Sequence, residues 1–137
     1  MALTHLVDTS VISRLGEASV RAVVDPLTHA GLLGRAGITD LEVGYGSRNA
    51  REWDRDMSDL SVFGLVETSA DHVRRARQVQ RLLASRSQRG RKIPDLLIAA
   101  AAEDAGLTLL HYDSDFDLIS GVTGQTCQWV VPAGSID

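Results

Sequence analysis

The stretch Lys92–Asp117, KIPDLLIAAAAEDAGLTLLHYDSDFD, decides how the rest of the chain is read. Pro94 suits the first position of a helix, and Gly106 suits its C-terminal stop. Between them Leu96, Leu97, Ile98 and the alanines Ala99–Ala102 make a helix apolar almost all round, the mark of a buried one. Asp95 therefore stands in the first turn of a buried helix, where a carboxylate is costly unless something compensates it. Leu107–Leu110 reads as a short buried strand. Asp113, Asp115 and Asp117 follow at its carboxyl end, where open parallel sheets place their active sites.

The segments before this stretch repeat its logic. Thr4–Val7 is a short apolar strand with Asp8 directly after it. Thr9 or Ser10 is expected to cap a short helix reaching Leu15, stopped by Gly16. Glu17–Val24 continues as helix, and Pro26 is expected to break or restart it. A strand is placed near Arg35–Ile38. Thr39-Asp40-Leu41-Glu42 has the spacing of a capping box, which opens a further helix. Ala50–Leu60 is a second helix, with Trp53, Met57 and Leu60 on one stripe. Val62–Val66 is a strand. Thr68 or Ser69 caps a long helix, Ala70–Ala84, with Val73, Ala76, Val79, Leu82 and Leu83 facing inward. Ser85–Lys92 is a polar, basic loop. Phe116, Leu118 and Ile119 pack a short turn, and Gln128–Val131 closes the chain as a strand. Short apolar runs alternating with helices predict one α/β domain, residues 1–137, built around a mainly parallel sheet.

Composition narrows the function. A chain of 137 residues with 44% hydrophobic and 23% charged content is that of a soluble domain with a real core. The single cysteine, Cys127, excludes an internal disulfide and a cysteine-rich zinc site, and fits a reducing cytoplasm. No apolar run approaches the roughly 20 residues of a membrane span, and the N-terminus lacks signal-peptide features. A cytoplasmic protein is expected. The net charge of −4 conceals a basic stripe. From His72 to Pro94 there is no acid, while Arg74, Arg75, Arg77, Arg81, Arg86, Arg89, Arg91 and Lys92 supply eight of the fourteen basic residues. A polyanion is the partner such a stripe suits; a solvated helix face is the plainer reading.

Asp8 and Asp113 each follow a strand, and Glu42 and Asp95 each lie in the first turn of a helix. In a parallel sandwich, strand carboxyl ends and the N-termini of neighbouring helices share one side. The four carboxylates, with Asp115 close behind, are thus expected in one pocket. Two carboxylates about 4 Å apart repel by roughly 4 kcal/mol at an effective dielectric of about 20, so the cluster must protonate or recruit a cation. Oxygen-only donors suit Mg²⁺ or Mn²⁺ rather than Zn²⁺. A hard cation beside a basic surface is the equipment of phosphodiester hydrolysis.

The ordered set Leu6-Val7-Asp8-Thr9-Ser10-Val11, Glu42-Val43-Gly44-Tyr45-Gly46, Asp95-Leu96-Leu97-Ile98-Ala99-Ala100 and Asp113-Ser114-Asp115-Phe116 resembles PIN-domain ribonucleases, and more narrowly the VapC-type toxins of bacterial toxin–antitoxin systems. The resemblance implies a PIN-like three-layer sandwich and Mg²⁺-dependent cleavage of RNA. It implies that Asp8, Glu42, Asp95 and Asp113 are the catalytic acids, that Asp8, Asp95, Asp113 and Asp115 hold metal, with Asp8 and Asp95 the most direct ligands, and that Ser10 assists the first acid. His111 departs from the Thr or Ser frequent at that place in the family. A homodimer and a VapB-type antitoxin are further implied. Arg74, Arg77, Arg86, Arg89 and Lys92 are the expected RNA contacts. Val11, Ile12 and Leu15 on one helix, and Trp53, Met57 and Leu60 on another, are the expected antitoxin groove. Two other functions remain open on the residues alone: a metal-dependent small-molecule phosphatase, and a non-catalytic RNA- or protein-binding module.

Overall fold

The computed structural model describes residues 2–89 and 91–137. Among them run β1 (His5–Val7), α1 (Thr9–Ile12), α2 (Ala18–His29), β2 (Leu33–Ala36), α3 (Gly37–Tyr45), α4 (Ala50–Leu60), β3 (Gly64–Val66), α5 (Ala70–Ser85), α6 (Ile93–Ala105), β4 (Thr108–His111), α7 (Asp115–Thr123) and β5 (Cys127–Trp129). The five strands form one sheet in the order β3-β2-β1-β4-β5, and every pairing is parallel. The α/β sandwich expected from the sequence is present.

Alternate residues of each central strand feed opposite layers, as the pleat requires. Leu6 and Leu109 join α5, α6 and α7 in one apolar cluster. Val7 and Leu110 join Val11, Val20, Val24, Leu60 and Phe63 in the other. β1 and β4 are adjacent at the centre, and the chain order reverses between them. That is a topological switch point, where a crevice opens at the strands' carboxyl ends.

Several boundaries differ from the sequence reading, each for a physical reason. Asp8, not Thr9 or Ser10, caps α1, because its carboxylate accepts the Ser10 N–H at 2.9 Å. α1 ends at Ile12 and does not reach Leu15. α2 runs straight through Pro26; Pro26 and Ala22 are both exposed, so the carbonyl that proline leaves unpaired meets water. The capping box at Thr39 does not form. α3 starts two residues earlier, its Ile38 N–H is taken by the Thr68 hydroxyl at 3.1 Å, and Thr39 is buried inside the helix. In α5 the Ser69 cap is closed by the His72 ring, and buried His72 takes the inward place that the sequence pattern gives Val73, which is exposed. Residues after Asp113 form a true helix, α7, in place of a short turn. Phe116 and Ile119 are fully buried, and tertiary packing overrides a weak helical sequence. β5 stops at Trp129, although Val130 still donates to the His111 carbonyl at 2.8 Å.

α6 is as the sequence predicts. Asp95, Leu96, Ile98 and Ala99–Ala102 are all buried. Gly106 ends the helix in the left-handed conformation at φ 68°, which costs a glycine little. No helix among the described residues is long and apolar enough to cross a membrane.

Candidate acidic site at the sheet switch point

Asp8 leaves β1 with its N–H donating to the Leu110 carbonyl of β4 at 2.9 Å. The carboxylate therefore emerges directly beside the end of β4. One oxygen caps α1; the other, Oδ1, is buried with no hydrogen-bond partner among the described residues. Ser10 ties the two strands together, its hydroxyl accepting the Tyr112 N–H at 2.9 Å. Glu42, on α3, accepts the Thr9 hydroxyl at 2.6 Å. Asp95 is 7% exposed, and its Oδ2 likewise has no hydrogen-bond partner among the described residues. Asp113 follows β4. Its N–H donates to His111 Nδ1 at 3.2 Å and its carboxylate accepts the Asp115 N–H at 2.9 Å. Oxygens of Asp95, Asp113 and Asp115 all lie within 4.8 Å of one another.

The site residues expected from the sequence are thus brought to one end of the sheet, with a rearrangement of roles. The tight oxygen cluster is Asp95, Asp113 and Asp115. Asp8, expected as one of the two most direct metal ligands, lies outside that cluster, although its Oδ1 has no hydrogen-bond partner among the described residues. Lys92 belongs to the basic stripe in the sequence, yet its Nζ stands among the acids, 3.1 Å from Asp113, 3.3 Å from Asp115 and 3.6 Å from Asp95. The i, i+3 spacing of Lys92 and Asp95 at the helix start is the signal that could have shown it.

The electrostatics follow from burial. Desolvation pushes Asp95 up to about 7, and the charges of Asp8, Asp113 and Glu42 add to the shift while Lys92 opposes it. Burial also raises Asp8 despite its hydrogen bonds with Ser10. It raises Glu42 despite the Thr9 hydroxyl. Lys92 is held further toward its charged form: burial works against it, and the hydrogen bond and charges of the acids around it outweigh burial.

His111 is fully buried between Phe116 and Trp129, with ring centroids 5.1 and 5.0 Å away. Because Nδ1 accepts the Asp113 N–H, the ring proton belongs on Nε2. Burial pulls the ring below its ordinary value, favouring that neutral form. His111 thus orients the Asp113 turn.

The remaining expected residues fall in two places. Arg74, Arg77, Arg86 and Arg89 are exposed on α5 and the loop after it. Arg74 is paired with Asp71, and Arg75 with Glu103 at 2.7 Å. Trp53 and Met57 line an apolar cleft with Ile38, Leu41 and Leu65. Val11 and Leu60 cannot line a groove, because both are buried core, and Leu15 is packed against the same cluster.

The model of the PIN-domain family matches residues 5–122. The chain belongs to the PIN-domain family. Among curated PIN relatives, ribonuclease VapC51 of Mycobacterium tuberculosis is 65% identical over 137 residues, the full length of both chains. Ribonuclease VapC21 of the same organism is 40% identical over 138 positions, covering 98% of this chain and 99% of the relative. Among solved structures, a DNA-bound VapBC from Salmonella typhimurium superposes with a TM-score of 0.76 at 18% identity, covering 94% of this chain and 99% of that one. VapBC-1 from nontypeable Haemophilus influenzae gives 0.74 at 17% identity, covering 95% and 98%. These structures share the PIN fold.

A pH dependence follows. The folded-state pKa of Asp95 lies above its ordinary 3.8, at about 7. Its carboxyl therefore favours folding while protonated, and that contribution is lost as pH rises through about 7. In metal-free protein, Asp95→Asn is expected to raise the melting temperature at pH 8 and to do so much less at pH 5. A tenfold change in proton affinity is worth about 1.4 kcal/mol, so a gain of about 1–4 kcal/mol is expected. Equal effects at both pH values in calorimetric melts would refute the assignment.

Proposed function

We propose that this PIN-domain protein is a metal-dependent endoribonuclease toxin of the VapC type, restrained by a VapB-type antitoxin. One observation carries the chemistry: carboxylates from four separate segments meet at the sheet's switch point, with oxygens of three within 4.8 Å. The full-length relatives named as VapC ribonucleases support RNA as the substrate class.

The donor set fits a hard divalent cation. It is all oxygen; the buried Oδ1 of Asp8 has no partner among the described residues, and the buried Oδ2 of Asp95 has no hydrogen bond and only the Lys92 ammonium at 3.6 Å to offset its charge. Asp95, Asp113 and Asp115 would hold Mg²⁺ or Mn²⁺, with the charge of Asp8 behind them. Such an ion supplies Lewis-acid stabilisation of phosphate charge and an acidified water. The chain's own residues supply the rest. Ser10 and Thr9 fix Asp8 and Glu42 in place. His111 fixes the Asp113 turn. Arg77, Arg86 and Arg89 can meet phosphates along the approach to α6, with Arg74 partly engaged by Asp71.

The antitoxin would occupy the cleft between α3, α4 and β3, where Leu41, Trp53 and Leu65 are exposed apolar residues. Leu41 is next to Glu42, so a segment lying there ends beside the acids. An amphipathic segment seated in an apolar groove is a common recognition mode. A homodimer would form through a second face, where exposed Val73 and Ile93 frame Ala76, Leu96 and Leu97.

Asp95→Asn is expected to leave the protein folded and to reduce Mg²⁺-dependent cleavage of structured RNA by more than the ~10–100-fold that follows loss of an outer-sphere partner. Chelation should abolish the parent's activity. Turnover of a chromogenic phosphate ester with intact RNA would instead favour the phosphatase, and no turnover of either would favour the binding module. The same cleavage-dead protein, titrated with single-stranded RNA against salt, should lose about 0.7 of log–log slope per arginine contact removed.

Trp53→Ala is expected to weaken the antitoxin by about 30-fold or more, since a buried aromatic anchor is worth at least about 2 kcal/mol. Calorimetric titration against a VapB-type antitoxin that binds the parent measures it, and full-strength binding by the variant would move the partner elsewhere. Ile93→Glu is expected to convert the dimer to monomer in sedimentation experiments; an unchanged mass would remove this face from the interface.

A further inference from the structure

Lys92 is the only lysine in the chain; the other thirteen of its fourteen basic residues are arginines. It stands at the start of α6, and its Nζ lies 3.1, 3.3 and 3.6 Å from oxygens of Asp113, Asp115 and Asp95. These are the same three residues whose oxygens converge within 4.8 Å. An ammonium has three donors, and here three carboxylates surround it. A lysine head is a compact point charge on a flexible stem, whereas an arginine presents a planar fork. Only the former has the shape of a small ion. The Lys92 backbone is fixed, its carbonyl accepting the Leu96 N–H at 3.1 Å. Its side chain is 60% exposed, which leaves a way out to solvent.

We infer that Lys92 is the site's resident cation: its ammonium takes the place of the divalent ion among Asp95, Asp113 and Asp115, and metal loading is an exchange that expels it. This rests on the metal-site reading above. The exchange has two consequences. Asp95, Asp113 and Asp115 keep a counter-charge when no metal is bound, which favours the folded metal-free protein. Every metal ion must also compete with an intramolecular ammonium, so the apparent affinity of the site for metal is lowered by a constant factor. Once expelled, Lys92 stands at the rim of the site with its charge turned outward, suited to a phosphate on the substrate.

Because the chain has one lysine, isotope-labelled lysine gives one ammonium signal in magnetic resonance. In metal-free protein that signal should show slow exchange with water, as a carboxylate-bound ammonium does. Titration with Mg²⁺ should abolish it with the midpoint found by calorimetry on the same sample. Lys92→Met should bind Mn²⁺ at least ~10-fold more tightly by calorimetry and melt lower than the parent without metal. A signal that does not respond while calorimetry records binding, or a variant that binds Mn²⁺ no more tightly than the parent, overturns the exchange. Should Lys92→Met fail to fold, the signal in the parent decides alone. Failure of the parent to bind either metal overturns the metal-site reading itself, and the exchange with it.

Discussion

The carboxylates of Asp8 and Asp95 are each less than a tenth exposed, and each has an oxygen with no hydrogen-bond partner among the described residues. Asp113, Asp115 and Glu42 add charge within reach. Charge gathered this way works against folding, since each close pair repels by about 4 kcal/mol at an effective dielectric of about 20. The rest of the structure is arranged to hold the group together regardless. α6 is buried over seven residues, so Asp95 cannot swing outward. Asp8 is locked by its place between a strand pairing and a helix cap. The apolar layers on both faces of the sheet supply the stability against which this local cost is set.

Position within the sheet explains why these particular segments contribute. β1 and β4 are neighbours, and their carboxyl ends open toward the helices that begin on the same side. α3 and α6 begin there, bringing Glu42 and Asp95. The hydroxyls of Thr9 and Ser10 then act as fasteners, one to Glu42 and one to the backbone after β4. Neutral His111 does the same from below the Asp113 turn. Its ring packs at a tilt against Phe116 and Trp129 while holding that bond.

Much of this is legible in the sequence because it depends on period and position. The apolar length of α6, the strand-then-acid pattern at Asp8 and Asp113, and the Ala76, Val79 and Leu83 stripe of α5 are legible as one-dimensional patterns, whereas Trp53 and Val73, read as members of apolar stripes, are exposed. What cannot be read is what depends on a partner far along the chain. Thr39 and Glu42 have capping-box spacing, yet Thr68 caps α3 and Thr9 takes Glu42. Pro26 sits inside α2 because its face is solvated, which spacing does not reveal. Val11 reads as a groove residue on a short amphipathic helix, but the sheet lies over it. Lys92 reads as one more member of a basic run; only the fold shows that its three nearest acids come from two segments.

The bond between Ser10 and Tyr112 joins residues 102 positions apart, and β1 has no β4 to pair with until that late segment exists. Contacts this distant in sequence carry the full entropy of loop closure and form slowly. The acidic centre therefore cannot be complete until residues 108–115 have been made. On the ribosome the residues of α3, α4 and β3, which line the apolar cleft, are made well before residues 108–115. For a hydrolase, that order means the surface a restraining partner would grip precedes the centre that needs restraint.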